Sequence, residues 1–476
     1  MTLGYEKSLL GVTAKTELVR YDTFSVEENG KGGGKSGALV GTESENCDLT
    51  DGVIRAGFGI TPYLFDDGTE LSGASSLPEA DAYFTLAEKQ EDGTYAEKLG
   101  FITLTGTVFL YDETTGTMKS KYAFGTRMKA VAAIDGEERT GVVFAGEAGV
   151  YFYTETDGMV ECGPTKAVAA ACVCKDRVFC AEEPFAIRYS APLQPTDFSE
   201  SIEDGGRIVL PSVSGKIVAL VTFQGAVYVF YEYGISKLET AGGAREFKLE
   251  KLGYGGGKIF GDSVGVCSVG GEKAFFLASD GAYVFDGENA ERICENLKIQ
   301  PVCEGQVCGH AEFDGKYFLR FVDTDGEKRG LVVDAATKTG YRAFAPKGLS
   351  ACRGKGICFA DSKLRRLEKD GSFPSGTTYA FSAAKTDFGI AGKKTLESVR
   401  FFGEGQIVVT VGNGRREKTV KVKFENGEAK MRVWLRGEYF SLQIVLKKGA
   451  SVNGAVAKIV RLGSREKSAL GRRKEG

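Results

Sequence analysis

The 476-residue sequence has little of several features that would suggest common kinds of site. It has one histidine, His310, so a serine–histidine triad would have to use that residue, and no G-x-S-x-G elbow accompanies it. It has one tryptophan, Trp434, although sugar sites are usually built on exposed aromatic rings, and we interpret Trp434 as a core residue. No stretch approaches 18 consecutive apolar residues, and the N-terminus lacks an apolar signal region. We therefore expect a chain that neither spans a membrane nor is exported.

Glycine, by contrast, is abundant, with 65 residues against 10 prolines. This composition favours many short strands separated by turns over long helices. The chain is also longer than the size at which a single hydrophobic core stops growing. Two domains or a repeat architecture are therefore expected.

Internal similarity is the most informative feature of the sequence. Each copy has a short apolar run ending in alanine, a turn of small or acidic residues, and a second run rich in aromatic residues, as in a β-hairpin. The copies begin at Val142, Val178 and Phe275, with a weaker one at Ile357. Further apolar strands precede most of them at intervals of roughly 37 to 50 residues, which brackets the length of a propeller blade. We predict an all-β fold with a β-propeller of six or seven blades over residues 50–372.

The pattern changes near Thr377. Six strictly alternating runs within residues 377–462, joined by turns such as Asn426-Gly427, predict a C-terminal antiparallel β-sandwich. We interpret residues 1–49 as an N-terminal arm with a Gly-rich linker at Gly30–Gly37, ordered only against a neighbouring subunit. Residues 463–476 form a basic tail.

Charge also separates the two halves. Residues 375–476 contain 21 Lys and Arg against 9 Asp and Glu, a net charge of +12, so the preceding residues carry −15 of the total of −3. This asymmetry indicates that the C-terminal domain meets an acidic surface, either protein or nucleic acid. The alternatives are that these lysines only solvate the sandwich and that the tail is a disordered terminus. The candidate contacts to a partner or DNA are Arg461, Arg465, Lys467, Arg472, Arg473 and Lys474.

Several segments resemble nucleotide, metal or sialidase motifs but lack the residues or the spacing that those motifs require. Asn29–Gly37 is one residue short of a phosphate-binding loop. Cys294, Cys303 and Cys308 near His310 lack the close pairs of a structural zinc site, and the eleven cysteines suit a reducing compartment and buried free thiols. Asp323–Glu327 lacks the glutamate that would complete an EF-hand loop. Ala278–Tyr283 departs from the Asp-box of sialidases and is interpreted as a hairpin turn. We therefore predict no catalytic, metal or cofactor site.

Four segments resemble tailed-phage virion propellers. In blade-like segment 176–198, Arg188, Tyr189 and Ser190 are followed by a short loop and by Asp197 and Phe198, as in those proteins. The strand pair 217–238 resembles a strand pair of those proteins, and residues 386–400 are similar to the opening of their C-terminal sandwich. Residues 46–57 are similar to their entry segment, although Ala56 replaces the family's second arginine.

The resemblance extends from about Asn46 to Leu462 and rests on the order of short motifs. It implies a packaged-DNA stabilisation, head-to-tail connector or tail-nozzle protein, a structural component and not an enzyme. It further implies a virion location after assembly in the host cytoplasm and a hexamer-like ring of copies. Its partners would be portal, adaptor or other tail proteins, with non-specific contact to packaged DNA and no membrane. The alternatives are a propeller-fold glycan-binding protein or glycosidase, and a cellular scaffold propeller.

Overall fold

The computed structural model divides the chain into two compact units, residues 58–377 and residues 1–57 with 378–476. We number the strands β1 to β42 in chain order. The residues that the structure describes are 5–9, 12–27, 38–49, 51–64, 80–89, 95–112, 117–134, 141–163, 167–182, 185–200, 205–240, 246–269, 271–297, 299, 307–322, 326–352, 354–360, 363–369 and 371–462.

In the described residues, seven four-stranded antiparallel sheets form the unit of residues 58–377. Six of them are each built from four consecutive strands, and the seventh takes its outermost strand from the start of the unit. Blade 1 contains β9 (Ala80–Lys89), β10 (Tyr95–Thr103), β11 (Thr107–Asp112) and β12 (Thr117–Ala123). Blade 2 contains β13 (Met128–Ile134), β14 (Gly141–Gly146), β15 (Gly149–Thr154) and β16 (Gly158–Cys162). Blade 3 contains β17 (Val168–Cys174), β18 (Arg177–Glu182), β19 (Ala186–Tyr189) and β20 (Gly206–Val209).

The remaining four blades follow the same order. Blade 4 contains β21 (Ile217–Phe223), β22 (Ala226–Tyr231), β23 (Gly234–Glu239) and β24 (Lys248–Leu252). Blade 5 contains β25 (Gly265–Cys267), β26 (Lys273–Ala278), β27 (Gly281–Phe285) and β28 (Ala290–Ile293). Blade 6 contains β29 (Val307–Phe313), β30 (Lys316–Val322), β31 (Lys328–Asp334) and β32 (Gly340–Ala343). Blade 7 contains β33 (Lys347–Cys352), β34 (Lys355–Ala360), β35 (Lys363–Glu368) and β8 (Gly59–Pro62).

These blades form a closed ring. The first strand of each blade contacts the first strand of the next, and β33 of blade 7 contacts β9 of blade 1. Strand β8 pairs with β35 in antiparallel register, with Ile60 opposite Leu367, so the last blade is fastened by the first strand of the unit. The predicted all-β propeller is confirmed, and it has seven blades.

Local turn chemistry explains why the repeated hairpins form. Two-residue loops with positive φ at both positions match the twist of the flanking strands. Gln224 and Gly225 have φ values of 50° and 70° between β21 and β22, and Lys175 and Asp176 have 45° and 65° between β17 and β18. The strands on either side then bury their apolar residues against neighbouring blades. For example, Phe223, Tyr228 and Phe230 of blade 4 share one core cluster with aromatic residues of blade 5.

The second unit is an antiparallel sandwich. One sheet has the order β1 (Tyr5–Leu9), β2 (Val12–Tyr21), β42 (Ser451–Leu462), β37 (Lys394–Glu404) and β40 (Glu428–Gly437), and β6 (Cys47–Asp48) joins it through β7 (Ile54–Ala56), which pairs with β42. The other has the order β39 (Glu417–Lys423), β38 (Gln406–Gly412), β41 (Phe440–Leu446), β36 (Ala380–Thr386) and β5 (Glu43–Glu45). A parallel pair of strands, β3 (Thr23–Val26) and β4 (Ala38–Gly41), accompanies them. The six alternating runs expected in residues 377–462 correspond to β37–β42, which confirms the C-terminal sandwich.

The N-terminal segment differs from the arm that we expected for residues 1–49. Strand β2 pairs with β42 from Ala14 to Tyr21, and β5 pairs with β36. The described part of this segment therefore completes both sheets of its own sandwich, and the propeller unit begins at Phe58 and not at residue 50. The physical reason is that backbone groups on both strands need partners, which the ladder supplies. The Gly30–Gly37 linker lies outside the described residues.

Regular structure in the described ranges is otherwise limited to short 3-10 turns, such as Ser212–Ser214 and Gly261–Ser263. Among these residues, no helix has the length and apolar character needed to cross a membrane.

Candidate functional site

The phage-like motif of blade 3 is internal to that blade. Ser190 Oγ accepts a hydrogen bond from the Val178 amide at 3.0 Å, and Arg177 donates to the Ser190 carbonyl at 2.7 Å. Tyr189 packs against Phe179 at a centroid distance of 6.0 Å, and Phe198 is buried. Arg188 contacts Glu182 at 3.2 Å, and the Ala191 amide bonds to the Asp197 carbonyl at 2.8 Å. The five motif residues thus shape the blade and its loop.

Of the six candidate contacts to a partner or DNA, Arg461 alone lies in the described residues. This residue lies near the end of β42, opposite Lys15, and its Nε is 3.6 Å from the Glu17 carboxylate. Arg465, Lys467, Arg472, Arg473 and Lys474 lie outside the described residues.

A basic and aromatic stripe follows β40, the last strand of its sheet. Burial alternates along this strand, with Met431, Val433 and Leu435 facing the core. Lys430, Arg432, Trp434 and Arg436 all point to solvent, and we call these four residues the β40 stripe. In the part of the chain that the structure describes, none of the three cations has an ion-pair partner.

The interpretation of Trp434 as a core residue is wrong. Its side chain is 62% exposed, and its backbone has φ of +55°. The register slips here, since Leu396 pairs with Leu435 but Ser398 pairs with Arg432, so a β-bulge lies at Trp434. A bulky residue with positive φ is strained, and such strain is concentrated at functional sites. The alternation of Lys430–Arg436 could have placed Trp434 on the outer face from sequence alone.

A charged network lies inside the propeller ring. Arg127 makes two hydrogen bonds to Asp81 of blade 1, at 2.8 and 3.1 Å, and approaches Asp262 at 3.4 Å. Lys129 of blade 2 also bonds to Asp262, which lies in the turn before blade 5. Because blades 2 and 5 are not neighbours, this contact crosses the space enclosed by the first strands. Burial opposes the charged Asp262 carboxylate, but Lys129 and Arg127 outweigh it and lower its pKa.

Next to this network is a cavity of about 430 Å³. It is lined by the first strands of several blades and by Lys129, His310 and Glu312. His310 Nδ1 lies 2.6 Å from a Glu312 carboxylate oxygen. Gly265 faces this pair closely, and a Cβ at that position would overlap the Glu312 carboxylate. When His310 is protonated, the network and the His310–Glu312 pair together contain three acidic and three basic groups. The charges around this cavity are therefore balanced.

We expect His310 to titrate above the ordinary histidine pKa of 6.5. Burial opposes the imidazolium, but the Glu312 carboxylate outweighs this effect and raises the pKa. Since the folded pKa is the higher one, the resulting stabilisation is full below about pH 6.5 and is lost as pH rises through the folded pKa. Glu312→Gln should lower the His310 pKa, whereas Glu147→Gln, at an exposed site, should leave it unchanged. Because the chain has one histidine, NMR of protein labelled at histidine gives a single titration curve. An unchanged curve in Glu312→Gln would contradict the assignment.

Eight cysteines whose side chains the structure describes are free and buried, as the sequence suggested: Cys47, Cys162, Cys172, Cys174, Cys180, Cys267, Cys294 and Cys358. Burial raises the pKa of Cys172 to about 12, so its thiol stays protonated and unreactive. Within the described ranges no cluster of three or more His, Cys, Asp or Glu residues could hold a metal ion. Cys303 and the Asp323–Asp325 part of the acidic turn lie outside those ranges.

The Asp-box-like segment forms the predicted hairpin turn. Ala278 and Gly281 are paired across β26 and β27. Asp280 accepts hydrogen bonds from the Gly257 amide at 2.9 Å and from the Tyr283 hydroxyl at 2.7 Å. The carboxylate is therefore used to fix a glycine-rich loop against the turn.

No protein-family model matches the sequence, and no curated protein matches it. Among solved structures, the WD40 repeats of RRP9 are similar at 8% identity over 61% of this chain and 98% of theirs, with a TM-score of 0.40. The β-propeller domain of Cps50 (Swd1) from Myceliophteria thermophila has 14% identity over 61% and 96%, with a TM-score of 0.39. A fungal alcohol oxidase of the AA5 family, solved in complex with copper, has 12% identity over 80% and 97%, with a TM-score of 0.43.

Proposed function

We propose that this protein is a structural component of a tailed-phage particle, present as a hexamer-like ring in the neck or tail that retains or conducts packaged DNA. The observation that carries the proposal is the opposite charge of the two units. The propeller unit has 34 Lys and Arg against 46 Asp and Glu, and the sandwich unit has 27 against 18. A basic surface on one copy and an acidic surface on the next suit a heterologous, head-to-tail contact, which closes into a ring if the rotation allows.

The propeller is well suited to be a rigid part of such an assembly. Its ring is closed by β8, so the fold protects its strand edges. Its interior is bridged by Lys129 and Asp262, and a DNA path through the assembly would therefore run between copies and not through one propeller. The order of the phage-like segments along the chain agrees with the same proposal. Its partners would be portal, adaptor or other tail proteins, and its location the virion.

The mass of the purified protein, alone and with portal–tail particles, tests this function. Light scattering should give a multiple of the 51.0 kDa chain mass, or particles should acquire a ring that cryo-EM class averages resolve. High salt should weaken the assembly, because exposed charges are screened over about 8–10 Å at moderate ionic strength. A persistent monomer that is absent from particles would refute the proposal. A glycan array and a glycosidase screen would then test the alternative, a glycan-binding protein or glycosidase. The exposed Trp434 ring is the structural observation that favours this alternative.

A further inference from the structure

We propose that the β40 stripe is a docking surface for the acidic rim of blade 5 on a second copy of this chain. The inference rests on the head-to-tail assembly proposed above and names its contact residues. We define the blade 5 rim as Glu272, Asp286, Glu288 and Glu291, all exposed.

The stripe has the composition of an interface centre. Tryptophan and arginine dominate the residues that contribute most to protein–protein binding. The chain has a single tryptophan, and the bulge places it outside the core at a backbone conformation that costs stability. Arg432 and Arg436 flank it on the same face, two residues to either side. A strained and exposed aromatic ring between two arginines is explained if a partner covers it.

The stripe carries three cations without an ion-pair partner in the described part of the chain. Two partly buried cations of this unit have carboxylate partners: Lys458 with Glu397 at 2.8 Å and Arg400 with Glu428 at 3.5 Å. Lys430, Arg432 and Arg436 have none among the described residues. Strand β39, which follows the other sheet's edge, carries three further exposed lysines, Lys418, Lys421 and Lys423. Unpaired cations of this density select an acidic partner and steer its approach.

The strand is protected against ordinary edge-to-edge pairing. Although β40 is the last strand of its sheet, lysine and arginine side chains together with a bulge are the features that block strand addition. The stripe therefore binds through its side chains, against a surface, and does not recruit an extended peptide as an extra strand.

The blade 5 rim supplies the matching charge. Glu272 precedes β26, and Asp286 and Glu288 lie between β27 and β28. The side-chain amide of Gln224 donates hydrogen bonds to the backbone carbonyls of Glu272 and Asp286, at 3.2 and 2.8 Å. It thereby holds the turn before β26 and the turn after β27 together. Glu291 follows on the outermost strand and is paired with Lys338. A second copy is favoured over nucleic acid because a single exposed aromatic ring on a strand face offers no groove and no series of stacking positions.

Oligomer mass as a function of concentration tests the contact. Arg432→Glu with Arg436→Glu should raise the dissociation constant on the order of 30-fold or more, the effect expected for residues at the centre of an interface. Trp434→Asn should act in the same direction, and asparagine tolerates the positive φ, so the loss reports the ring and not the backbone. The matched control is Lys447→Glu with Lys448→Glu, an equal charge change at an exposed turn of the same unit, which should have little effect.

An exchange of charge between the stripe and the rim gives the decisive test. Glu288→Lys with Glu291→Lys should weaken assembly alone and restore it when mixed with the Arg432→Glu, Arg436→Glu chain. If the wild-type protein assembles and both stripe variants assemble equally well, this interface is wrong. The ring proposal would then still stand. A wild-type chain that stays monomeric, alone and on particles, would overturn both. Stripe variants that lose binding to labelled DNA in fluorescence anisotropy while assembling normally would assign the stripe to DNA and overturn the inference.

Discussion

Phe58→Ala should destabilise the propeller by about 3 to 5 kcal/mol, the usual cost of emptying a buried aromatic site. Phe58 directly precedes β8, the strand that closes the ring, and its ring packs 5.3 Å from Phe313 and 6.4 Å from Phe318 between centroids. It belongs to the core cluster that also contains Ile60 and Leu367. Removing it therefore weakens the packing that holds β8 on blade 7 as well as the core.

Hydrogen exchange localises this effect. Amides of β8 and β35 should lose protection first in Phe58→Ala, and the propeller should unfold at lower denaturant. Leu64→Ala is the control, because Leu64 lies near the same strand but is 53% exposed, and its change should be within about 0.5 kcal/mol. Equal protection of β8 in both variants would show that Phe58 does not hold the closure.

Lys394→Ala should destabilise the sandwich by about 3 kcal/mol, since hydrogen bonds to charged groups contribute roughly 1.5–3 kcal/mol and a carbonyl left without a donor adds to the loss. Lys394 is buried, and its Nζ donates to the carbonyls of Ile390 at 2.6 Å, Gly392 at 3.3 Å and Glu438 at 2.5 Å. The ammonium thus holds the loop before β37 against the β40–β41 turn. Burial of the ammonium lowers the pKa of Lys394.

Equilibrium unfolding measures the loss, and the adjacent lysine is its control. Lys393 is exposed, so Lys393→Ala removes the same charge without removing the carbonyl contacts. Its effect should be within about 0.5 kcal/mol. If the two variants unfolded at the same denaturant concentration, the three carbonyl contacts would not account for the burial of Lys394.

Features that depend on neighbouring residues could be predicted from the sequence. The hairpin at Gln224-Gly225 and the turn at Asp280 follow from local turn chemistry, and the repeat of such hairpins predicted a propeller. The alternation from Lys430 to Arg436 also places Trp434 on the outer face, although the apolar character of tryptophan favours the core.

Features that depend on distant pairing could not be predicted in this way. The partner of β2 is β42, near the other end of the chain, and no local pattern in residues 12–21 names it. The seventh blade likewise takes β8 from the start of its unit, so counting consecutive hairpins left six or seven open. The contact of Lys129 with Asp262 is of the same kind. Each residue gives its charge in the sequence, but only the closed ring brings the two together.

The pairing of β2 with β42 also sets an order of events during synthesis. The propeller has all its strands once β35 has left the ribosome, whereas the sandwich needs β42, the last strand described. The edge of β2 that pairs with β42 therefore stays without its partner while the whole propeller is translated. Translation that stops early, or an extension that hinders β42, would leave a folded propeller carrying an unfinished sheet edge, which is a template for aggregation.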